Sequence, residues 1–129
     1  MVSGAKNVAK GESELNLYFK TSIFNSNSQL ANYMFNEFRS LGLNPTEPKC
    51  EEFMCFISTT IENQSIVFYM GKNDEPSNPT LWQIWPEQKN PLFSRIFGKA
   101  NQKPEQEAKA IIERIVNNIQ SVSSVEWGI

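Results

Sequence analysis

Apolar residues recur along this chain with two different periods, and the switches between them constrain the fold more than any other feature. Leu15, Leu17, Phe19, Thr21 and Ile23 alternate strictly with Asn16, Tyr18, Lys20 and Ser22, the pattern of a half-buried strand. After Asn25-Ser26-Asn27-Ser28, a run rich in helix N-cap residues, the spacing lengthens to three and four. Leu30, Met34, Phe38 and Leu41 then form one stripe, widened by Tyr33 and Phe35, which predicts a helix over 29–41. Gly42 follows as a left-handed cap with Leu43 as its apolar partner, and Pro45 and Pro48 bar continuation.

Period two returns at Phe53, Cys55, Ile57, Thr59 and Ile61, set against Met54, Phe56, Ser58 and Thr60. Glu62-Asn63-Gln64 reads as a turn and Ser65 to Met70 as the returning arm of a hairpin. Gly71 to Pro79 carries the residues of a loop, and Thr80 to Trp85 is a further strand closed by Pro86. Pro91 and Gly98 bracket a short helix. A longer helix opens around Gln102 to Pro104, with Ala108, Ile111, Ile112, Ile115, Ile119 and Val122 as its stripe. Val125, Trp127 and Ile129 alternate as a last strand.

The expected order is β-α-β-β-β-(short α)-α-β. The expected class is α+β: one antiparallel-rich sheet of about five strands with two amphipathic helices packed on it. The chain has 129 residues, enough for one domain. Residues 1–14 are small, polar and charged and read as a flexible tail, so the domain is expected over 15–129.

The residue inventory argues against catalysis. The chain has no histidine, which removes Ser-His-Asp and Cys-His arrangements and every His-containing zinc site. Asp74 is its single aspartate. The six glycines are too dispersed for a phosphate-binding loop, and no cysteine pair has metal-ligand spacing. No enzyme, cofactor or metal is expected. A net charge of −2 lacks the basic face that binds nucleic acid, and no run approaches the ~18 apolar residues of a membrane span. The first fourteen residues hold no apolar export signal, so the cytoplasm is the expected compartment.

Cys50 and Cys55 are five apart. In one continuous strand they would point to opposite faces and could not bridge, so both are expected to be reduced, half-buried thiols. Glu47, Glu51 and Glu52 around them disfavour a reactive thiolate.

Three features stand out as contact surface. Trp82 and Trp85 are three apart in a strand and face opposite ways, so unless a helix or loop covers both faces of the sheet, one lies away from the core as a candidate anchor. Phe93, Arg95 and Phe97 belong to a short segment with more large apolar residues than one helix face needs. Charge is segregated: Lys89, Arg95, Lys99 and Lys103 cluster late, and Glu47, Glu51, Glu52 and Glu62 cluster early. With Asp74 and Glu75, the acids offer complementarity to a basic partner.

In size, charge and element order the chain looks broadly like bacterial toxin-neutralising immunity proteins and type III secretion chaperones. That resemblance implies another protein as partner, such as a cognate toxin domain. The expected function is a non-enzymatic protein-binding module. The alternative is a small-molecule domain, with Trp82 or Trp85, Phe68 and Tyr69 lining a pocket between sheet and helices.

Overall fold

The computed structural model describes residues 15–88 and 103–129. They form one six-stranded antiparallel sheet with two helices, an α+β fold. The strands are β1 (Asn16–Lys20), β2 (Lys49–Cys50), β3 (Cys55–Ile61), β4 (Gln64–Lys72), β5 (Leu81–Gln88) and β6 (Ser123–Gly128). The helices are α1 (Asn27–Ser40) and α2 (Lys103–Asn117). The strand order is β2-β3-β4-β5-β1-β6, so the first strand is slotted between the fifth and the last. One strand more than expected is present, because residues 49 and 50 pair with β3. The expected short helix between Pro91 and Gly98, and the tail at 1–14, lie outside the described residues.

Helix α1 begins where the polar run placed it. Ser26 is the N-cap, and its hydroxyl accepts from the Gln29 amide at 3.2 Å. Gly42 ends it with φ of +88°, donating to Arg39 O at 3.0 Å while Leu43 donates to Phe38 O at 3.1 Å. That double bond pattern is a Schellman motif, and the positive φ is why glycine stands there. The β3–β4 hairpin is tighter than expected. Ile61 pairs directly with Gln64, leaving a two-residue turn in which Glu62 (φ 52°) and Asn63 (φ 65°) are both left-handed. Such a turn matches the strand twist.

Register assigns each strand two faces. On the inner face Cys55, Met70, Ile84 and Leu17 form one row across four strands, and Ile57, Phe68 and Pro86 form the next. Both helices lie on this face, α1 against β3 and β4 and α2 against β5, β4, β1 and β3. Leu30, Ala31, Met34 and Phe38 of α1 and Ala108, Ile112, Ile115 and Val116 of α2 complete the core. The Phe38 and Phe68 rings meet at 4.6 Å.

The cysteines overturn the expectation. Cys50 and Cys55 form a disulfide. Residues 51–54 are a turn rather than strand, so the chain reverses and sets the two cysteines directly opposite each other on β2 and β3. The parity argument held only for an unbroken strand. A ring this short removes about 2 kcal/mol of chain entropy from the unfolded state.

Among the described residues, the Thr59 hydroxyl is buried in the core without a hydrogen-bond partner. Thr59 faces inward beside Ile66 on β4. Valine has the same shape and no hydroxyl to desolvate. Thr59→Val is therefore expected to raise stability by about 1 kcal/mol, or roughly 3–5 °C in Tm, measured by thermal unfolding.

Candidate functional site

The outer face of the sheet carries a row of aromatic residues. Phe56 on β3 pairs with Tyr69 on β4, which pairs with Trp85 on β5. All three are half-buried, none belongs to the core, and no described helix packs over them. Tyr69 and Trp85 lie 5.5 Å apart at 19°, and Phe56 and Tyr69 lie 6.0 Å apart at 45°. Two nearly parallel rings this close cannot lie side by side in one plane without overlapping. They therefore stand face to face, following the strand spacing of about 4.8 Å, and present their edges outward. Beside them Val67, on the same face and outside the core, is buried as well.

Strand β5 decides which tryptophan serves which face. Trp82, Ile84 and Pro86 point inward; Gln83 and Trp85 point outward with Glu87. Trp82 is 2% exposed, packs edge-on against Phe24 at 5.8 Å, and donates its indole N–H to Thr21 O at 3.0 Å. It is a core residue and not the contact anchor that the sequence offered. Trp85 remains outside, with its N–H directed to Glu87 at 3.3 Å.

The same alternation dismantles the expected pocket between sheet and helices. Phe68 and Trp82 are sealed in the core, whereas Tyr69 and Trp85 are on the opposite face. The four aromatics line no common space.

Two open depressions flank the row. One, of about 240 Å³, runs between the 51–54 turn and Trp85, lined by Phe53, Met54, Gly71, Asp74 and Gln83 among others. Phe53 forms its rim and is 73% exposed. Gly71 lies at its floor, where a Cβ would fit tightly, 3.0 Å from Phe53 O and 3.3 Å from Asn27 Nδ2. The Asn27 side-chain oxygen also accepts from the Lys72 amide at 2.8 Å, tying helix α1 to the end of β4. The second depression, about 540 Å³, is lined by Tyr18, Lys20, Glu75, Leu81, Glu126 and Ile129 with neighbours. Burial pushes the Tyr18 phenol above its usual range, so it stays protonated and donates to Ile129 O at 2.8 Å.

The acids named from the sequence are all exposed, but they do not form one patch. Asp74 joins the Phe53 depression and Glu75 the Tyr18 depression. Glu51 and Glu52 sit in the disulfide-closed turn, and Glu47 precedes β2. Among the described residues no group of His, Cys, Asp and Glu is placed to hold a metal. None of the described helices is long and apolar enough to cross a membrane. Phe93, Arg95 and Phe97 lie outside the described residues. The sequence pattern did not single out Phe53, Phe56 and Tyr69 as surface. Only Phe53 carried a signal, since the Glu51-Glu52 pair before it suits an exposed turn better than a strand.

No family model matches the chain, and neither a curated protein nor a solved structure matches it.

The two tryptophans should separate cleanly on mutation. Trp82→Ala is expected to cost about 3–5 kcal/mol, and Trp85→Ala only about 1 kcal/mol from its lost ring pair. Urea unfolding of both variants, with near-UV circular dichroism to report native packing, measures the difference.

Proposed function

We propose that this protein is a non-enzymatic binding module that grips another protein through the outer face of its sheet. The observation carrying this reading is the Phe56–Tyr69–Trp85 row, in which Tyr69 and Trp85 stack with their edges outward on a face over which neither described helix packs. Large aromatic side chains with few rotatable bonds make strong anchors, since little entropy is lost on contact. Edge-out rings favour a protein partner over a base or a sugar. A flat ligand stacks on an exposed ring face, whereas ring edges fit between apolar and backbone groups of a protein surface.

The rim supports a basic partner. Asp74, Glu75, Glu87 and Glu126 border the outer face, with Glu51 and Glu52 at its corner, against Lys20, Lys49 and Lys72. Rim charges of one prevailing sign speed encounter and select partners more than they hold them. A toxin-neutralising immunity protein of bacterial type, working in the cytoplasm, is the finer form of this reading. Secretion chaperones share its requirement for a protein partner. The small-molecule alternative is less well supported, because Phe68 and Tyr69 point to opposite faces of the sheet.

The test compares two forms of the full chain as bait in native extract. Wild type should retain one protein in stoichiometric amount, and Tyr69→Ser/Trp85→Ser should lose it. The expected loss in affinity is about 30-fold or more, corresponding to about 2 kcal/mol. Far-UV circular dichroism should show both baits equally folded. Equal retention by the folded double variant would remove the outer face from the reading.

A further inference from the structure

We infer that the Cys50–Cys55 disulfide is a reversible thiol clip, opened by a dithiol reductant, that holds the 51–54 turn as one wall of the depression beside Trp85. The first support is its place in the fold. Staples that stabilise small domains join segments distant in sequence, where the entropy removed from the unfolded chain is large. This one joins cysteines five apart and secures a strand of two residues at the sheet's edge. The core is closed by β1, β3, β4, β5 and both helices, and of the pair only Cys55 belongs to it.

The second support is access. Cys55 is fully buried, whereas Cys50 is exposed on the edge strand, so a thiolate from solvent reaches the bond at the Cys50 sulfur. Its attack forms a mixed disulfide to Cys50 and expels Cys55 as thiolate, which takes up a proton. The reductant's second thiol then displaces Cys50. Two electrons and two protons pass to the protein, leaving two thiols, and the reductant leaves as its own disulfide. Reoxidation runs the same steps backwards.

The third support is what the clip holds. Besides the bond itself, the turn is fastened by the Glu51 amide to Met54 O at 2.8 Å and by the pairing of Lys49 with Phe56. Phe53 O lies 3.0 Å from where a Cβ on Gly71 would stand, and Phe53 and Met54 line the depression together with Trp85. Opening the clip frees this wall and leaves the aromatic row in place. The opening itself follows from the turn's geometry alone; its bearing on partner binding rests on the reading of the outer face given above.

The experiment needs no partner. The native full chain is treated with dithiothreitol in the absence of denaturant, quenched with iodoacetamide and weighed by mass spectrometry. A parallel sample is digested with a glutamyl endopeptidase. Cys50, the exposed member of the pair, should be alkylated while far-UV circular dichroism is unchanged, and cleavage after Glu51 or Glu52 should accelerate about tenfold or more. Removing dithiothreitol in air should restore protection. Cys50→Ser/Cys55→Ser should be cut at the fast rate with or without reductant. Three results would each overturn the inference: no alkylation of the native chain, alkylation only with global unfolding, or an unchanged cleavage rate after full reduction. Loss of the proposed partner contact with an intact clip response would fault the outer-face reading and leave the clip standing.

Discussion

Both helices pack on the same side of the sheet, and the rest of the molecule is arranged around that choice. A six-stranded sheet has two faces to satisfy, and α1 and α2 spend their apolar stripes on one. Leu17, Phe19, Ile57, Phe68, Met70, Trp82 and Ile84 are thereby sealed from water. The opposite face must then be tolerable in solvent. It achieves this by a mixture: Ser58, Thr60, Gln83 and Glu87 are polar, while Phe56, Tyr69 and Trp85 shelter part of their surface against one another. The Tyr69–Trp85 stack hides one ring face of each from water. The row is thus both a stable surface for the free protein and an apolar strip ready for burial.

The ends of the sheet are handled differently from its middle. On the β3 side, Thr46 stands where a further strand would, its amide donating to Ser58 O at 2.8 Å and its hydroxyl accepting from the Ser58 amide at 3.0 Å. With β2 and the disulfide beyond it, most of that edge is covered, which blunts strand-to-strand aggregation. On the other side β6 is held down by α2, because the Trp127 indole donates to Glu113 at 2.9 Å and its ring lies 5.6 Å from Lys109 Nζ. Side-chain anchoring replaces a further strand at this edge.

Period-two and period-three-to-four spacing carried most of the architecture. Residues 15–23 announced β1, the stripe from Leu30 to Leu41 announced α1, and Ala108 to Ile119 announced α2. Gly42 and the polar run from Asn25 to Ser28 marked the ends of α1 to within two residues, because capping is local chemistry. Parity also showed that Trp82 and Trp85 must part, but not which would be buried, since that depends on the face the helices choose. The hidden parts were those decided by tertiary pairing. The two-residue β2 is too short to have a period, and Phe53 extended an alternation that the chain abandons at the turn. From that one misassigned turn came both the unbridged cysteines and the missing strand.

Strand β5 shows why the outer face follows from the core rather than standing apart from it. Moving its register by one residue would exchange Trp82 with Trp85's face, exposing the larger core ring and burying Gln83 and Glu87 without partners. Trp82 resists this through its indole bond to Thr21 O, and Thr21 is itself fixed by its amide to Thr80 O at 3.1 Å. The Thr21 hydroxyl donates to Gln120 O at 3.2 Å, carrying the same constraint to the turn that follows α2. Core polar bonds around one buried tryptophan thereby hold its outward neighbour against Tyr69. A surface fixed this way loses little conformational freedom on contact, which is the property a binding face needs most.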